Sequence, residues 1–148
     1  MISWPGKVEP RLDREHLASN VDLWPTLAAL LKTPLPKGLP GINLTDPRAV
    51  AKRRNIFGEQ YAHNIADVDA PTRSLQHRWI IDRWWKLIVP DARFRPDGKP
   101  ELYDLRQDPW EKNDLAAKEA GRVKRLRRQL DAWWTPDASG RAPESARR

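Results

Sequence analysis

The segment from Glu101 to Leu115, Glu-Leu-Tyr-Asp-Leu-Arg-Gln-Asp-Pro-Trp-Glu-Lys-Asn-Asp-Leu, restricts this chain more than any other. Leu102, Tyr103 and Leu105 make a short strand of apolar and aromatic residues. Asp108-Pro109 reads as a turn, and Asn113 or Asp114 offers a helix N-cap. Beyond the cap, Val123, Leu126, Leu130 and Trp133 or Trp134 recur three and four residues apart, the spacing of an amphipathic helix. Gly121 inside that helix costs roughly 1 kcal/mol relative to Ala.

Upstream, two short runs rich in β-formers, Ser74 to Asp82 and Trp84 to Val89, flank Asp82-Arg83 and predict a hairpin. Asn55 to Tyr61 predicts a further strand, separated from the hairpin by a polar loop from His63 to Thr72. Pro90 to Pro100 is a loop rich in Pro, Gly and Arg. Residues 55–134 therefore read β, ββ, β, α, which predicts an α+β fold: a small antiparallel sheet covered by a C-terminal helix. The first 54 residues differ in character. Ile2 and Trp4 end a strand at the Pro5-Gly6 turn, and Leu23, Leu27, Leu30 and Leu31 predict a helix over 22–32, with caps at Ser19, Asn20 and Asp22. The prolines and glycines between Thr33 and Asp46 stop both helix and sheet, and Pro47 to Arg54 suits a short basic helix. After Pro136 the tail is small, polar and basic, with the composition of a disordered segment.

Composition narrows the chemistry. With 32% charged residues, 14 Pro and 8 Trp, much of the hydrophobic capacity is expected in indoles rather than in Leu, Ile and Val packing. The absence of cysteine excludes a disulfide framework, a thiolate metal site and a thiol nucleophile. Three widely spaced histidines, His16, His63 and His77, show no metal-ligand spacing, and His16 and His77 read as surface or edge-strand residues. Net charge is +7, and residues 118–148 hold nine Lys/Arg against four Asp/Glu. Such a terminus permits attraction to nucleic acid or anionic glycan, yet the run Arg122 to Arg128 also fans around a helix whose Val123 and Leu126 are buried, as on any solvated amphipathic helix. Trp79, Trp84 and Trp85 are capable of stacking on sugars, but their strand positions favour core packing. No apolar run approaches a membrane span, so no membrane partner is expected, and the start lacks the apolar core of a secretory signal.

Four ordered segments resemble the sulfatase family: Trp4-Pro5-Gly6-Lys7; Val21-Asp22-Leu23-Trp24-Pro25-Thr26-Leu27; Leu39-Pro40-Gly41-Ile42-Asn43-Leu44; and Trp85-Lys86-Leu87-Ile88 leading to the Glu101 segment. The last is close to the family's E-L-Y-D-L-x-x-D-P-x-E-x-x-N-L run, with Asp114 between Asn113 and Leu115. The resemblance covers residues 2–116 and places them at the C-terminal end of the family layout. It implies that residues 1–46 are a remnant strand, helix and loop of an alkaline-phosphatase-like α/β domain. Residues 47–135 are then the C-terminal antiparallel subdomain, and 136–148 a disordered basic tail.

The resemblance also implies sulfate-ester or N-sulfate hydrolysis on a sulfated glycan or aryl sulfate, with calcium and formylglycine in the complete enzyme, which is periplasmic or extracellular in bacteria. Ser3-Trp4-Pro5-Gly6-Lys7 approximates the formylglycine motif, Cys or Ser followed by x-P-x-R, but ends in Lys and is read as a decoy. The family's nucleophile and metal ligands lie N-terminal to this region, so no catalytic or metal-binding residue is expected in the chain, and activity would need an N-terminal catalytic portion as partner. Glu59 to His63 resembles the G-E-x-x-x-H segment of glycan-acting sulfatases. His63 is thus a candidate substrate contact with Glu59 behind it, and the alternative is a solvated loop histidine. The rival function is a non-enzymatic basic module that binds anionic glycan or nucleic acid through its last helix; on the sulfatase reading no nucleic acid is expected.

Overall fold

The computed structural model describes residues 3–10, 12–64 and 66–136. In chain order its elements are a 3-10 turn at Asn20–Asp22 running into α1 (Leu23–Leu31), α2 (Pro47–Lys52), β1 (Asn55–Tyr61), β2 (Leu75–Asp82), β3 (Trp85–Pro90), β4 (Glu101–Asp104) and α3 (Ala120–Trp133). A second 3-10 turn, Pro71–Ser74, precedes β2. The chain divides into two compact units, Met1–Ile56 and Phe57–Arg148, with α2 in the first.

The first unit is organised by Asp22, which is fully buried. Its carboxylate accepts from the Ser19 N–H at 2.7 Å, the reciprocal half of a capping box, and from the Ile42 N–H at 2.9 Å. Arg53, just past α2, donates to the same carboxylate, at 2.8 Å through Nη2. Thr26, one turn along, donates its hydroxyl to the Asp22 carbonyl at 2.7 Å and accepts from the Leu44 N–H at 2.9 Å. The loop from Gly41 to Leu44 is thereby laced along the start of α1. Gly41 makes this possible: its φ is +105°, and a Cβ there would lie 2.3 Å from the Val21 carbonyl oxygen. Prolines and glycines thus break the helix at 33–46, as expected, but the loop they make is pinned at its far end.

The Trp4 to Lys7 segment forms the predicted turn, with the N–H groups of Lys7 and Val8 donating to the Trp4 carbonyl at 3.1 and 3.0 Å. Ser3 and Trp4 are not in a strand; Met1 and Ile2, on which the strand reading also rested, lie outside the described residues.

In the second unit a four-stranded antiparallel sheet has the order β1-β2-β3-β4. Ile80, Leu87 and Leu102 stand opposite one another across β2, β3 and β4, and all three are completely buried beneath Leu126 and Leu130 of α3. The α+β architecture expected from residues 55–134 is the one observed. Two ion pairs tie α3 to β2. Arg125 donates to Asp82 at 2.6 Å, and Arg78 donates to Asp131 at 2.9 Å and to the Trp134 carbonyl that follows the helix. Trp133 stacks on Phe57 of β1, centroids 5.1 Å apart.

Three details differ from the sequence reading. The last helix begins at Ala120, not after Asn113 or Asp114. The Asp114 carboxylate accepts from the Leu102 N–H at 3.0 Å and the Ala116 N–H at 2.8 Å, while the Leu115 N–H donates to the Leu102 carbonyl at 2.8 Å. Residues 114 and 115 are therefore held against β4 and cannot wind into a helix, and Gly121 falls in the first turn, where its entropic cost is least felt. Secondly, the completely buried large side chains are Leu75, Ile80, Leu87, Leu102, Leu126 and Leu130, and no tryptophan is among them. Among the tryptophans read as core, Trp85 packs on the core margin under the Arg122 guanidinium at 3.9 Å, Trp84 lies 5.3 Å from Arg106, and Trp79 spans Gly58. An indole carries an N–H that needs a partner, which suits the margin better than the centre. Thirdly, β2, which carries His77, is an inner strand. The tail from residue 137 onward, read as disordered, lies outside the described residues.

Candidate functional site

Glu59 and Tyr61 are two residues apart on β1, so strand alternation sends both side chains to one face, and His63 follows in the loop just past the strand end. Glu59 is exposed, yet partial desolvation by its neighbours pushes its carboxyl above the ordinary range. The Tyr61 hydroxyl is likewise raised, by burial first and by the Glu59 charge second, so Tyr61 is held as a neutral hydrogen-bond donor beside an acidic group. His63 is exposed. Among the described residues no hydrogen bond joins His63 to Glu59; what the structure couples is Glu59 and Tyr61. Tyr61 was absent from the sequence-derived site, although the two-residue spacing of Glu59, Tyr61 and His63 carried the signal.

The loop that follows is well tied. The Asp67 carboxylate accepts from the N–H groups of Asp69 and Ala70 and from Arg73, and the Ser74 hydroxyl and carbonyl accept from Ala66 and Ala62. Such a strand end offers a carboxylate acceptor, a phenol donor and an imidazole, groups suited to a ligand rich in hydroxyls. Elsewhere, His16 is exposed and paired with Asp13 at 3.0 Å. His77 is lowered, chiefly by burial and then by Lys86 and Arg95.

The residues here do not fit the family's cofactors. Among the described residues no three His, Asp or Glu side chains lie close enough to hold a metal ion. The chain has no cysteine, and Ser3, at the formylglycine-like motif, is an exposed residue ahead of the Trp4 to Lys7 turn. The basic helix is partly self-neutralised, since Arg122 pairs with Glu119, Arg125 with Asp82 and Arg127 with Asp131.

Residues 1–134 match the C-terminal family model of N-sulphoglucosamine sulphohydrolase. The chain belongs to this sulfatase C-terminal family. A curated relative, the N-acetylgalactosamine-6-O-sulfatase of Bacteroides thetaiotaomicron, is 30% identical over 142 residues, which is 89% of this chain and 26% of that protein. The sulfatase C-terminal chain thus spans about a quarter of its relative's length. Among solved structures, a protein of glycosaminoglycan metabolism from Bacteroides thetaiotaomicron has a TM-score of 0.66 at 25% identity, covering 87% of this chain and 29% of that one. Another, solved with its substrate D-glucosamine-2-N,6-O-disulfate, has a TM-score of 0.55 at 23% identity, covering 77% and 23%, and shows the shared fold.

Proposed function

We propose that this chain is the C-terminal, substrate-bordering part of a sulfatase. It is inactive by itself and completes sulfate-ester or N-sulfate hydrolysis only together with an N-terminal catalytic portion. The carrying observation is the match of residues 1–134 to a C-terminal sulfatase family, in a chain without cysteine and without a metal-ligand cluster among its described residues. Calcium and formylglycine then belong to the catalytic portion.

Within that assembly Glu59 and His63 contact the sulfated glycan, with Tyr61 as a neutral donor beside Glu59. Supporting this, Glu59 is exposed, so a ligand can reach it, and its partly desolvated carboxyl lies on the same strand face as Tyr61. A relative that acts on a sulfated amino sugar points to the same ligand class.

The 148-residue chain incubated with an aryl sulfate and calcium is expected to give no turnover. Calcium-dependent turnover by the chain alone would refute the division of labour. In an enzyme reconstituted with a catalytic portion, Glu59→Gln and His63→Ala are expected to raise KM for a sulfated glycan while leaving aryl-sulfate turnover nearly unchanged. Unchanged KM for both substrates would remove the two residues from the site.

A further inference from the structure

Two loops leave the same end of the sheet. β1 ends at Tyr61 and β3 at Pro90, one on each side of the start of β2, and Pro90 stands opposite His77. Both chains are tied to β2 there: the Ala62 N–H donates to the Ser74 carbonyl at 2.7 Å, and the Asp91 N–H to the Gln76 carbonyl at 2.9 Å. Two strand spacings, about 10 Å, therefore separate the loop that bears His63 from the loop that follows β3.

The loop after β3 is a fixed turn. The N–H groups of Phe94 and Arg95 both donate to the Asp91 carbonyl, at 3.1 and 2.8 Å, and the Gly98 N–H closes a second turn on the Arg95 carbonyl at 3.0 Å. Gly98 packs so close to the end of β3 that a Cβ there would fall 2.8 Å from the Pro90 ring. The Asp91 carboxylate is held by the Arg93 guanidinium at 2.8 and 2.9 Å. With Asp91 taken, no carboxylate pairs with Arg95 among the described residues. Arg95 is exposed, and it lies close enough to His77 to disfavour protonation of that ring. Phe94 beside it is 44% exposed. A guanidinium presents a planar fork of donors that fits the oxygens of a carboxylate or a sulfate, and an adjacent phenyl ring offers an apolar plane to the C–H face of a sugar.

We propose that Phe94 and Arg95 form a second sugar subsite, in which Arg95 binds the anionic group, carboxylate or sulfate, of the sugar next to the one held by Glu59, Tyr61 and His63. The inference rests on the proposed function and narrows its substrate class to an oligosaccharide with anions on neighbouring sugars. A single sugar ring does not span about 10 Å, whereas a chain of sugars does.

The test titrates the whole 148-residue chain, by NMR, with N-acetylgalactosamine 6-sulfate and with a chondroitin 6-sulfate tetrasaccharide, in which that sugar alternates with a uronate. Arg95→Ala is expected to weaken tetrasaccharide binding about tenfold or more, the worth of one hydrogen-bonded contact to a charged group, and to leave monosaccharide binding within about twofold. Phe94→Ala should weaken the tetrasaccharide severalfold. Arg128→Ala, which removes the same charge from an exposed position on α3, should change neither. A carboxyl-reduced tetrasaccharide identifies the anion: loss of the Arg95 effect marks the uronate carboxylate, and its persistence marks the next sulfate. Arg95 is exposed, so Arg95→Ala should melt with wild type. Equal tetrasaccharide affinity in wild type and Arg95→Ala, an equal loss on the monosaccharide, the same loss in Arg128→Ala, or no tetrasaccharide binding by wild type would each overturn the inference. Glu59→Gln and His63→Ala test the first site separately. If they leave monosaccharide affinity unchanged while Arg95→Ala still weakens the tetrasaccharide, the first site is refuted and the Arg95 contact stands.

Discussion

Glu59 and Gly41 show how much a single position decides. Glu59, though exposed, has a carboxyl pKa raised by partial desolvation, so between its ordinary 4.5 and the raised value the folded chain binds more protons than the unfolded one. Stability therefore falls as pH rises through that window, and above it the ionised carboxylate is a net cost. Glu59→Gln is expected to melt higher than wild type at pH 7, with the difference disappearing below pH 4.5; a lower melting temperature at pH 7 would show that the carboxylate is stabilising. Gly41→Ala combines left-handed φ with a Cβ driven into the Val21 backbone. It should cost at least about 2 kcal/mol by urea unfolding, against a few tenths for a Gly in an open turn. Both residues were visible in the sequence, Glu59 through its strand and Gly41 through its Pro-Gly loop. What was not visible was the partial desolvation of one and the crowding of the other against the Val21 backbone, where a Cβ would lie 2.3 Å from the carbonyl oxygen, because the latter depends on a segment twenty residues back.

Among the elements, α1 and the four strands were legible because each is marked locally by period, β-branched residues or prolines. The start of α3 was not. Asn113 and Asp114 are good caps by type, but Asp114 is engaged by Leu102 of β4, and no local pattern announces a cap recruited by a strand twelve residues back. The tryptophans misled for a related reason: composition counts indoles, whereas the sheet centre was filled by Leu and Ile aligned in register. Leu130 touches that row from above and is completely buried. Leu130→Ala is expected to cost about 2–5 kcal/mol, read from the denaturation midpoint, as cavity formation in a close-packed core requires. A loss below about 1 kcal/mol would show that α3 is not the cover of the sheet.

For the molecule as a whole, the +7 charge left a polyanion-binding module open as the rival to the sulfatase reading, and the ion pairs of α3 bear on it. Three arginines of α3 already have carboxylate partners, leaving fewer cations to release counterions from a glycan or nucleic acid. Binding to heparin and to duplex DNA should accordingly be weak and change little across a salt series, roughly one log unit or less from 50 to 200 mM. A steep slope would favour the basic-module reading.

The lacing of the Gly41 to Leu44 loop to α1 has a mechanical outcome as well. The ten residues at positions 31–40 are all exposed, while the chain on either side is clamped, through Ala28 and Thr26 before and through Ile42 and Leu44 after. A protease that cuts within 33–40 would sever the backbone without parting the pieces. The nicked protein should migrate as one species in a native gel and as two bands in detergent, held together by one buried aspartate, one arginine and one threonine.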